Sequence, residues 1–182
     1  MGSVPSPDDA IRLQSPVVLV LMGVSGCGKT SVGTLLADRL GWAFEEGDSL
    51  HPAANIAKMA SGHPLNDEDR WPWLEKVAEW CEQLLADGTN GVITCSALKR
   101  SYRDLINRGS KGIEFVYLRG EMKLIAERLA ARHGHFMPPR LLASQFADLE
   151  EPGDDEPSIR VHIGPGPEEI ANTIIARLQL VR

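Results

Sequence analysis

Residues 23–30 constrain the fold of this chain more than any other segment of its sequence. They read Gly-Val-Ser-Gly-Cys-Gly-Lys-Thr and fit the pattern G-x-x-x-x-G-K-[ST]. An apolar run at 17–22 precedes them, and residues 29–40 show the leucine spacing of a helix that Gly41 closes. A glycine-rich loop between a strand and a helix surrounds phosphate oxygens with backbone N–H groups. The sequence therefore predicts a phosphate-binding loop at 23–30, called the phosphate loop below.

The same loop supplies the expected contacts to ATP. Lys29 would reach the β- and γ-phosphates, and the Thr30 hydroxyl would ligate Mg²⁺. The predicted ATP-binding residues of this segment are Gly23, Val24, Ser25, Gly26, Cys27, Gly28, Lys29, Thr30 and Ser31. We interpret Cys27 as a small loop residue rather than a nucleophile, because the loop is already committed to phosphate.

The rest of the chain alternates short apolar runs with helical patterns. The further predicted strands are 42–46, 92–95, 115–118 and 159–163. The further predicted helices are a short one ending near Lys58, then 72–85, 122–132, 140–149 and one that opens at Pro167. Strands interleaved with helices predict an α/β fold whose five-stranded parallel sheet is covered on both faces. Ligands of such folds bind at the carboxyl ends of the strands.

The composition excludes several classes of function. The 182 residues favour one domain, which we expect at 16–182, after a disordered tail at 1–15. The net charge of −6 argues against a broad nucleic-acid-binding surface. The three cysteines form no CxxC pair, no apolar run approaches the ~20 residues that span a bilayer, and no secretory signal is visible. We expect a cytoplasmic protein without a nucleic-acid or membrane partner.

Acidic residues after the second strand indicate which class of nucleotide-binding protein this is. No N-K-x-D guanine motif occurs, and Ser96 follows the third strand where motor-type ATPases place an acid. The acids instead close the second strand, at Glu46 and Asp48. This arrangement suits a small-molecule kinase that uses ATP and Mg²⁺, because the acceptor hydroxyl and the hydration shell of the metal both need carboxylates.

Polar residues follow this strand at the ligand edge of the sheet. Asp48 would accept the proton of the acceptor hydroxyl or hold that hydroxyl by a hydrogen bond, and its alternative role is a helix cap. His51, Asn55 and Lys58 extend the predicted substrate contacts. Their alternatives are a turn residue before Pro52 for His51 and a helix C-terminal cation for Lys58.

Several basic residues lie at helix starts, where the helix dipole disfavours a positive charge. Arg70 follows the capping sequence at 66–69 of the long helix, so it would bind an anionic ligand or pair with Asp67. Lys99 and Arg103 share one face of the helix after the third strand. We therefore expect Arg70, Lys99 and Arg103 to contact an anionic substrate.

Arg128 and Arg132 share a face of one helix and lead into a segment rich in glycine and proline. This pattern predicts a mobile lid at about 130–140, whose arginines would offset transition-state charge on closure. The alternative is a solvated basic helix face. We expect one positive groove on an acidic body, formed by Lys29, Lys58, Arg70, Lys99, Arg103, Arg128 and Arg132.

These residues together resemble the small P-loop gluconate kinases, relatives of shikimate kinase within the nucleoside-monophosphate-kinase-like group. The resemblance spans about residues 17–182. It is carried by 23–30, Gly47-Asp48, Leu50-His51-Pro52, Asn55-Ile56, Lys58-Met59, 64–67, Asp69-Arg70, Pro72-Trp73-Leu74, 95–99, Tyr102-Arg103-Asp104, 134–137, Ser144-Gln145-Phe146 and Leu149-Glu150. The segments Cys-Ser-Ala-Leu-Lys and Gly-His-Phe-Met are its most specific parts.

The resemblance implies an activity, a fold and further residue roles. The activity is phosphorylation of D-gluconate at its 6-hydroxyl by ATP, and the fold is a three-layer P-loop kinase with a mobile lid, often a homodimer. Arg128 would lie against the adenine and Arg132 near the phosphates, while His135 and Gln145 would join the substrate contacts. The resulting catalytic residues are Lys29, Asp48 and Arg132.

One departure from the family pattern concerns the metal. Such kinases usually carry Asp where this chain has Glu46, whose side chain is one methylene longer. Thr30 would ligate Mg²⁺ directly, and Glu46 would hold it through water. An alternative acceptor is shikimate or another small sugar acid, although Ser96-Ala97-Leu98 stand where shikimate kinases have a glycine-rich turn. A function of another class is a regulatory module that binds ATP without turnover.

Overall fold

The computed structural model describes residues 16–132 and 139–182, and these ranges contain five strands and seven α-helices. The strands are β1 (Val18–Met22), β2 (Ala43–Glu46), β3 (Gly91–Thr94), β4 (Ile113–Arg119) and β5 (Ser158–His162). The helices are α1 (Lys29–Leu40), α2 (Ala53–Ala60), α3 (Asp67–Ala86), α4 (Arg100–Asn107), α5 (Met122–Ala131), α6 (Pro139–Asp148) and α7 (Pro167–Leu178). A 3₁₀ turn at Gly47–Leu50 follows β2. The tail predicted at 1–15 lies outside the described residues.

The strands form one parallel sheet in the order β2-β3-β1-β4-β5. The central strand β1 is buried along its whole length, as its uninterrupted apolar sequence predicts. Leu19 and Leu21 pack in the hydrophobic cluster that contains α1 and α7, and Val18 and Val20 pack in the cluster that contains α3 and α4. The predicted three-layer α/β fold is therefore confirmed. In the described ranges no helix is long and apolar enough to cross a membrane.

The parallel register brings the carboxyl ends of β1, β2 and β3 to one edge of the sheet. Thr94, the last residue of β3, is in register with Leu21 of β1 and with Glu46 of β2. Just beyond the strands, the Gly23 N–H donates to the Ser96 carbonyl at 3.1 Å. The phosphate loop, the 3₁₀ turn and the segment after β3 therefore meet where a ligand site is expected.

Helix α3 includes the predicted span 72–85 and begins at Asp67, so that Pro72 lies inside the helix. The capping sequence predicted at 66–69 is confirmed. The N-cap of the helix is Asn66, whose Oδ1 accepts the Asp69 N–H at 2.8 Å while Asp69 Oδ2 accepts the Asn66 N–H at 3.0 Å. This capping box satisfies two N–H groups that the helix itself leaves unpaired. It also fixes the first turn of α3, which carries Arg70, at the ligand edge of the sheet.

Glu114 is an acidic residue buried in the sheet. It is 6% exposed and is in register with Leu19 on the neighbouring strand. Burial raises the pKa of its carboxyl from 4.5 to about 7. The folded protein therefore keeps a proton that the unfolded chain releases, and this group lowers the stability as pH rises from about 4.5 to about 7.

We expect Glu114→Gln to remove this penalty. At pH 8 the variant should have a free energy of unfolding about 1–3 kcal/mol above that of the wild type, and the two should converge near pH 4.5. Urea unfolding at both pH values measures the difference, and Glu127→Gln, which changes an exposed acid on α5, is the matched control. Equal stabilities of Glu114→Gln and wild type at pH 8 would contradict the expectation.

Candidate active site

The phosphate loop adopts a backbone conformation that depends on its glycines. Gly23, Gly26 and Gly28 have φ angles of +141°, +84° and +96°, a region that residues with a Cβ atom rarely adopt. Gly28 is the N-cap of α1 and supplies no side-chain cap, so the first N–H groups of that helix have no partner within it. The loop is thus built to bind an anion at a helix N-terminus, as nucleotide phosphates require.

Lys29 and Gln145 bind the phosphate loop from two sides. The Lys29 Nζ donates to the carbonyls of Gly23 at 2.9 Å and Val24 at 3.1 Å. Gln145, on α6, accepts the Ser25 N–H at 2.8 Å and donates to the Ser25 hydroxyl at 3.1 Å. Both predicted residues therefore lie at the loop, and Gln145 ties α6 to it.

A carboxylate and two hydroxyls lie beside the loop at the end of β2. Glu46 accepts from the Thr30 hydroxyl at 2.7 Å and from the Thr94 hydroxyl at 2.5 Å. Carboxylate and hydroxyl oxygens are the hard ligands that Mg²⁺ prefers. Among the described residues no group of three or more His, Cys, Asp or Glu side chains could hold a metal. The donors present therefore fit Mg²⁺ that is shared with phosphate and water, rather than a closed protein site.

Thr94 is a site residue that sequence reasoning missed. It is 1% exposed, and its Oγ1 also accepts the Gly47 N–H at 3.1 Å. One buried hydroxyl therefore joins Glu46 to the first residue of the 3₁₀ turn. The available signal was a polar residue at the end of an otherwise apolar strand.

Gly47 places the 3₁₀ turn directly against β3. A Cβ atom at this position would lie 1.8 Å from the carbonyl oxygen of Thr94, so no other residue fits without a backbone shift. The Gly47 carbonyl accepts the indole N–H of Trp73 at 2.8 Å. These contacts hold Asp48, whose side chain is 78% exposed, at the ligand edge. The helix-cap alternative for Asp48 is wrong, because Glu46 is the N-cap of this turn.

His51 is held as a neutral imidazole beside Asp48. Its ring stacks on Trp73 with centroids 4.0 Å apart, and burial lowers its pKa. The Asn55 Nδ2 donates to the Asp69 carbonyl at 2.8 Å and lies 3.3 Å from His51 Nδ1. Since a carbonyl only accepts, this atom of Asn55 is the donor, so Nδ1 accepts and Nε2 carries the proton. Nε2 lies 3.9 Å from the Asp48 carboxylate.

One cavity of about 380 Å³, called the central cavity below, is lined by residues of the phosphate loop, the 3₁₀ turn and α3. The predicted residues that line it are Ser25, Lys29, Asp48, His51, Arg70 and Gln145. The lining residues that sequence reasoning missed are Met59, His63, Pro64, Leu65, Trp73, Ser96, Leu98, Leu141 and Ser144. Seven of these nine lie in the segments that carry the family resemblance, all but His63 and Leu141. Ser96 and Leu98 also follow a strand that ends at the ligand edge.

Other predicted substrate residues support the cavity without lining it. Lys58 donates to Asp69 at 2.5 Å, and Lys99 donates to Asp67 at 3.1 Å. Asn55 contacts the His51 ring and the Asp69 carbonyl. The alternative in which Arg70 pairs with Asp67 is wrong, because Lys99 occupies that carboxylate and Arg70 donates to the Tyr102 hydroxyl instead.

The prediction that Arg103 contacts substrate is wrong. Its side chain is 1% exposed and donates to the Glu156 carboxylate at 2.7 and 3.2 Å and to the Ala97 carbonyl at 2.9 Å. A buried guanidinium paired in this way supports the segment after β3 instead of facing the cavity. The prediction of one groove formed by seven cations is also wrong. Arg103 is buried, and Lys58 and Lys99 are paired with acids.

The arginines predicted to reach ATP lie at the end of α5. Arg128 donates to the Ile163 carbonyl at 2.6 Å, next to the loop after β5. Arg132 is the exposed C-cap residue of α5. His135 and most of the predicted lid at 130–140 fall in the range 133–138, which lies outside the described residues.

The chain is similar to known kinases over most of its length. Residues 25–160 match the family described as shikimate kinase. The chain is 51% identical to the gluconokinase of Gluconobacter oxydans (strain 621H), over 90% of this chain and 92% of that protein. It is 47% identical to the thermoresistant gluconokinase of Escherichia coli (strain K12), over 79% and 82% of the two chains.

Solved structures of kinases are also similar to this chain. A gluconokinase from Sinorhizobium meliloti 1021 superposes with a TM-score of 0.83 at 44% identity, covering 91% of this chain and 93% of that one. A shikimate kinase from Aquifex aeolicus vf5, at 15% identity and a TM-score of 0.55 over 87% and 94% of the chains, shares the fold alone. The chain belongs to the shikimate kinase family of P-loop kinases, in its gluconokinase branch.

Proposed function

We propose that this protein transfers the γ-phosphoryl group of ATP to the 6-hydroxyl of D-gluconate, giving 6-phospho-D-gluconate and ADP. One observation carries the proposal: a single cavity is lined by Lys29 of the phosphate loop, by the carboxylate of Asp48 and by the guanidinium of Arg70. A kinase for a small acid needs these three groups for phosphate, hydroxyl and carboxylate. The relatives named gluconokinase support gluconate as the acceptor.

The phosphate side of the reaction belongs to the loop and the end of β2. The N–H groups at the start of α1 bind phosphate oxygens, and Lys29 exchanges its two carbonyl partners for the β- and γ-phosphates. Thr30 and Glu46 would hold Mg²⁺, Glu46 through water. When bound, the metal neutralises charge on the transferred phosphoryl group.

The acceptor side belongs to Asp48 and its neighbours. The Asp48 carboxylate accepts the hydroxyl proton as the oxygen attacks phosphorus, and the bond from phosphorus to the leaving oxygen of ADP breaks in line. The Nε2–H of His51 lies 3.9 Å from this carboxylate. Arg70 binds the carboxylate at the other end of gluconate, since Lys29 is committed to phosphate.

The remaining assignments follow from the resemblance and are part of the proposal. Arg128 lies against the adenine, and Arg132 reaches the phosphates when the lid at about 130–140 closes. Lys58, Lys99 and Asn55 support the acceptor side, and His135 contacts substrate from the lid. The protein acts as a cytoplasmic homodimer.

Acceptor specificity is the direct test. Purified protein with Mg-ATP should release ADP at a rate that D-gluconate raises well above the acceptor-free rate, and shikimate should not. A coupled ADP assay over a panel of sugar acids measures this. Activation by shikimate alone would make it a shikimate kinase, and ATP binding without any acceptor-dependent ADP release would make it a regulatory module.

Asp48→Asn tests the acceptor side. Because asparagine cannot take the hydroxyl proton, kcat should fall by about 10²–10⁴-fold while the KM for ATP changes little. Steady-state kinetics measure both, and Asp38→Asn, which changes an exposed acid on α1, is the matched control. An unchanged kcat in Asp48→Asn would remove this residue from catalysis.

Thr94→Val tests the link between the metal side and the 3₁₀ turn. The variant keeps the side-chain shape but loses the hydrogen bonds to Glu46 and Gly47, so we expect about a 10-fold lower kcat and a higher Mg²⁺ concentration for half-maximal rate. Thr34→Val, whose hydroxyl bonds only to carbonyls of its own helix, is the control. The same Mg²⁺ dependence in Thr94→Val and wild type would refute the role.

A further inference from the structure

A buried tyrosine holds the guanidinium that α3 brings into the central cavity. Arg70 NH1 donates to the Tyr102 hydroxyl at 2.7 Å, and the guanidinium lies 5.4 Å from the centre of the Tyr102 ring. Tyr102, on α4, is 1% exposed and is not one of the residues that line the cavity. It therefore contacts Arg70 but does not itself line the cavity.

The direction of each hydrogen bond in this network follows from the chemistry of its groups. A guanidinium only donates, so the Tyr102 oxygen accepts from Arg70. The Tyr102 hydroxyl donates its own hydrogen bond to Asp67 Oδ1, which also accepts from Lys99 at 3.1 Å. These hydrogen bonds lower the pKa of Asp67, and burial raises the pKa of Tyr102. Asp67 thus stays an acceptor, Tyr102 stays protonated, and a lone pair of its oxygen faces Arg70.

The carboxylate of Asp148 competes with a ligand in the cavity for the guanidinium of Arg70. Asp148, the last residue of α6, places its Oδ2 3.7 Å from Arg70 NH1, which is an ion pair beyond hydrogen-bond distance. A movement of about 1 Å would turn this contact into a charge-assisted hydrogen bond. Asp148 would then take from Arg70 a donor that an anionic ligand needs.

We infer that Tyr102 is a positioning residue for the acceptor: its hydroxyl keeps Arg70 directed at the cavity and limits the competition of Asp148 with the substrate carboxylate for that guanidinium. The inference rests on the proposed function, because it takes the acid group of the acceptor as the ligand of Arg70. Without the hydroxyl, one donor of Arg70 loses its partner, and Asp148 is already within reach to replace it.

The test separates gluconate binding from the chemical step. In Tyr102→Phe the KM for gluconate should rise by about 10-fold or more, while kcat and the KM for ATP stay within about 2-fold of wild type. In Tyr102→Phe/Asp148→Asn the competing charge is gone, so most of the lost gluconate affinity should return. A general structural defect would lower kcat and raise both KM values, and Asp148→Asn would not reverse it.

The chain provides a matched control in its other tyrosine. Tyr117 is also buried and donates to a carboxylate, that of Glu151, at 3.1 Å. It lines a different cavity, with Arg160 and Arg177. Tyr117→Phe removes the same hydroxyl and should leave the KM for gluconate unchanged. An equal rise in both Phe variants would overturn the inference.

The single variant Asp148→Asn gives an independent measurement. If Tyr102→Phe does not fold, Asp148→Asn alone still tests the inference, because removing the competitor should lower the KM for gluconate by about 2–3-fold. An unchanged or higher KM in Asp148→Asn overturns the inference. An active wild type with an unchanged KM in Tyr102→Phe refutes only the positioning role, whereas a wild type without gluconate-dependent ADP release refutes the proposed function.

Discussion

The approach of Gly47 to the carbonyl of Thr94 is the contact on which the site depends. The 3₁₀ turn can lie this close to β3 only because residue 47 has no side chain, since a Cβ atom would be 1.8 Å from the carbonyl oxygen. The Thr94 hydroxyl then binds both the Gly47 N–H and the Glu46 carboxylate. The carboxylate proposed for the metal and the turn that carries Asp48 are therefore positioned by the same strand end.

Paired charges, rather than one positive field, define the acceptor side. The chain has a net charge of −6, and its acids bind three of the seven cations of the expected groove, namely Lys58, Lys99 and Arg103. Lys29 and Arg70 are the two of those seven cations that line the described cavity. Arg70 lies between the Tyr102 hydroxyl and the Asp148 carboxylate. In our account, the balance between these two neighbours sets how well an acidic acceptor binds.

The sequence predicts best what short segments determine alone. The phosphate loop and the cap of α3 are encoded in a few consecutive residues, so their positions follow from pattern and spacing. Arg103 was misassigned because helical spacing gives the face of a residue but not its partner, Glu156, which follows 53 positions later. Thr94 and Trp73 were missed for the same reason, because their partners in the 3₁₀ turn are 47 and 26 positions away.

In the proposed mechanism, one cavity presents the terminal hydroxyl of a sugar acid to the γ-phosphate on the phosphate loop. The ³¹P NMR spectrum of the product formed from ATP and D-gluconate tests it most directly. Transfer to the 6-hydroxyl gives a phosphomonoester resonance split into a triplet by the two protons of the adjacent CH₂ group. A doublet, from phosphate on a secondary carbon, or a signal of inorganic phosphate alone would contradict the account.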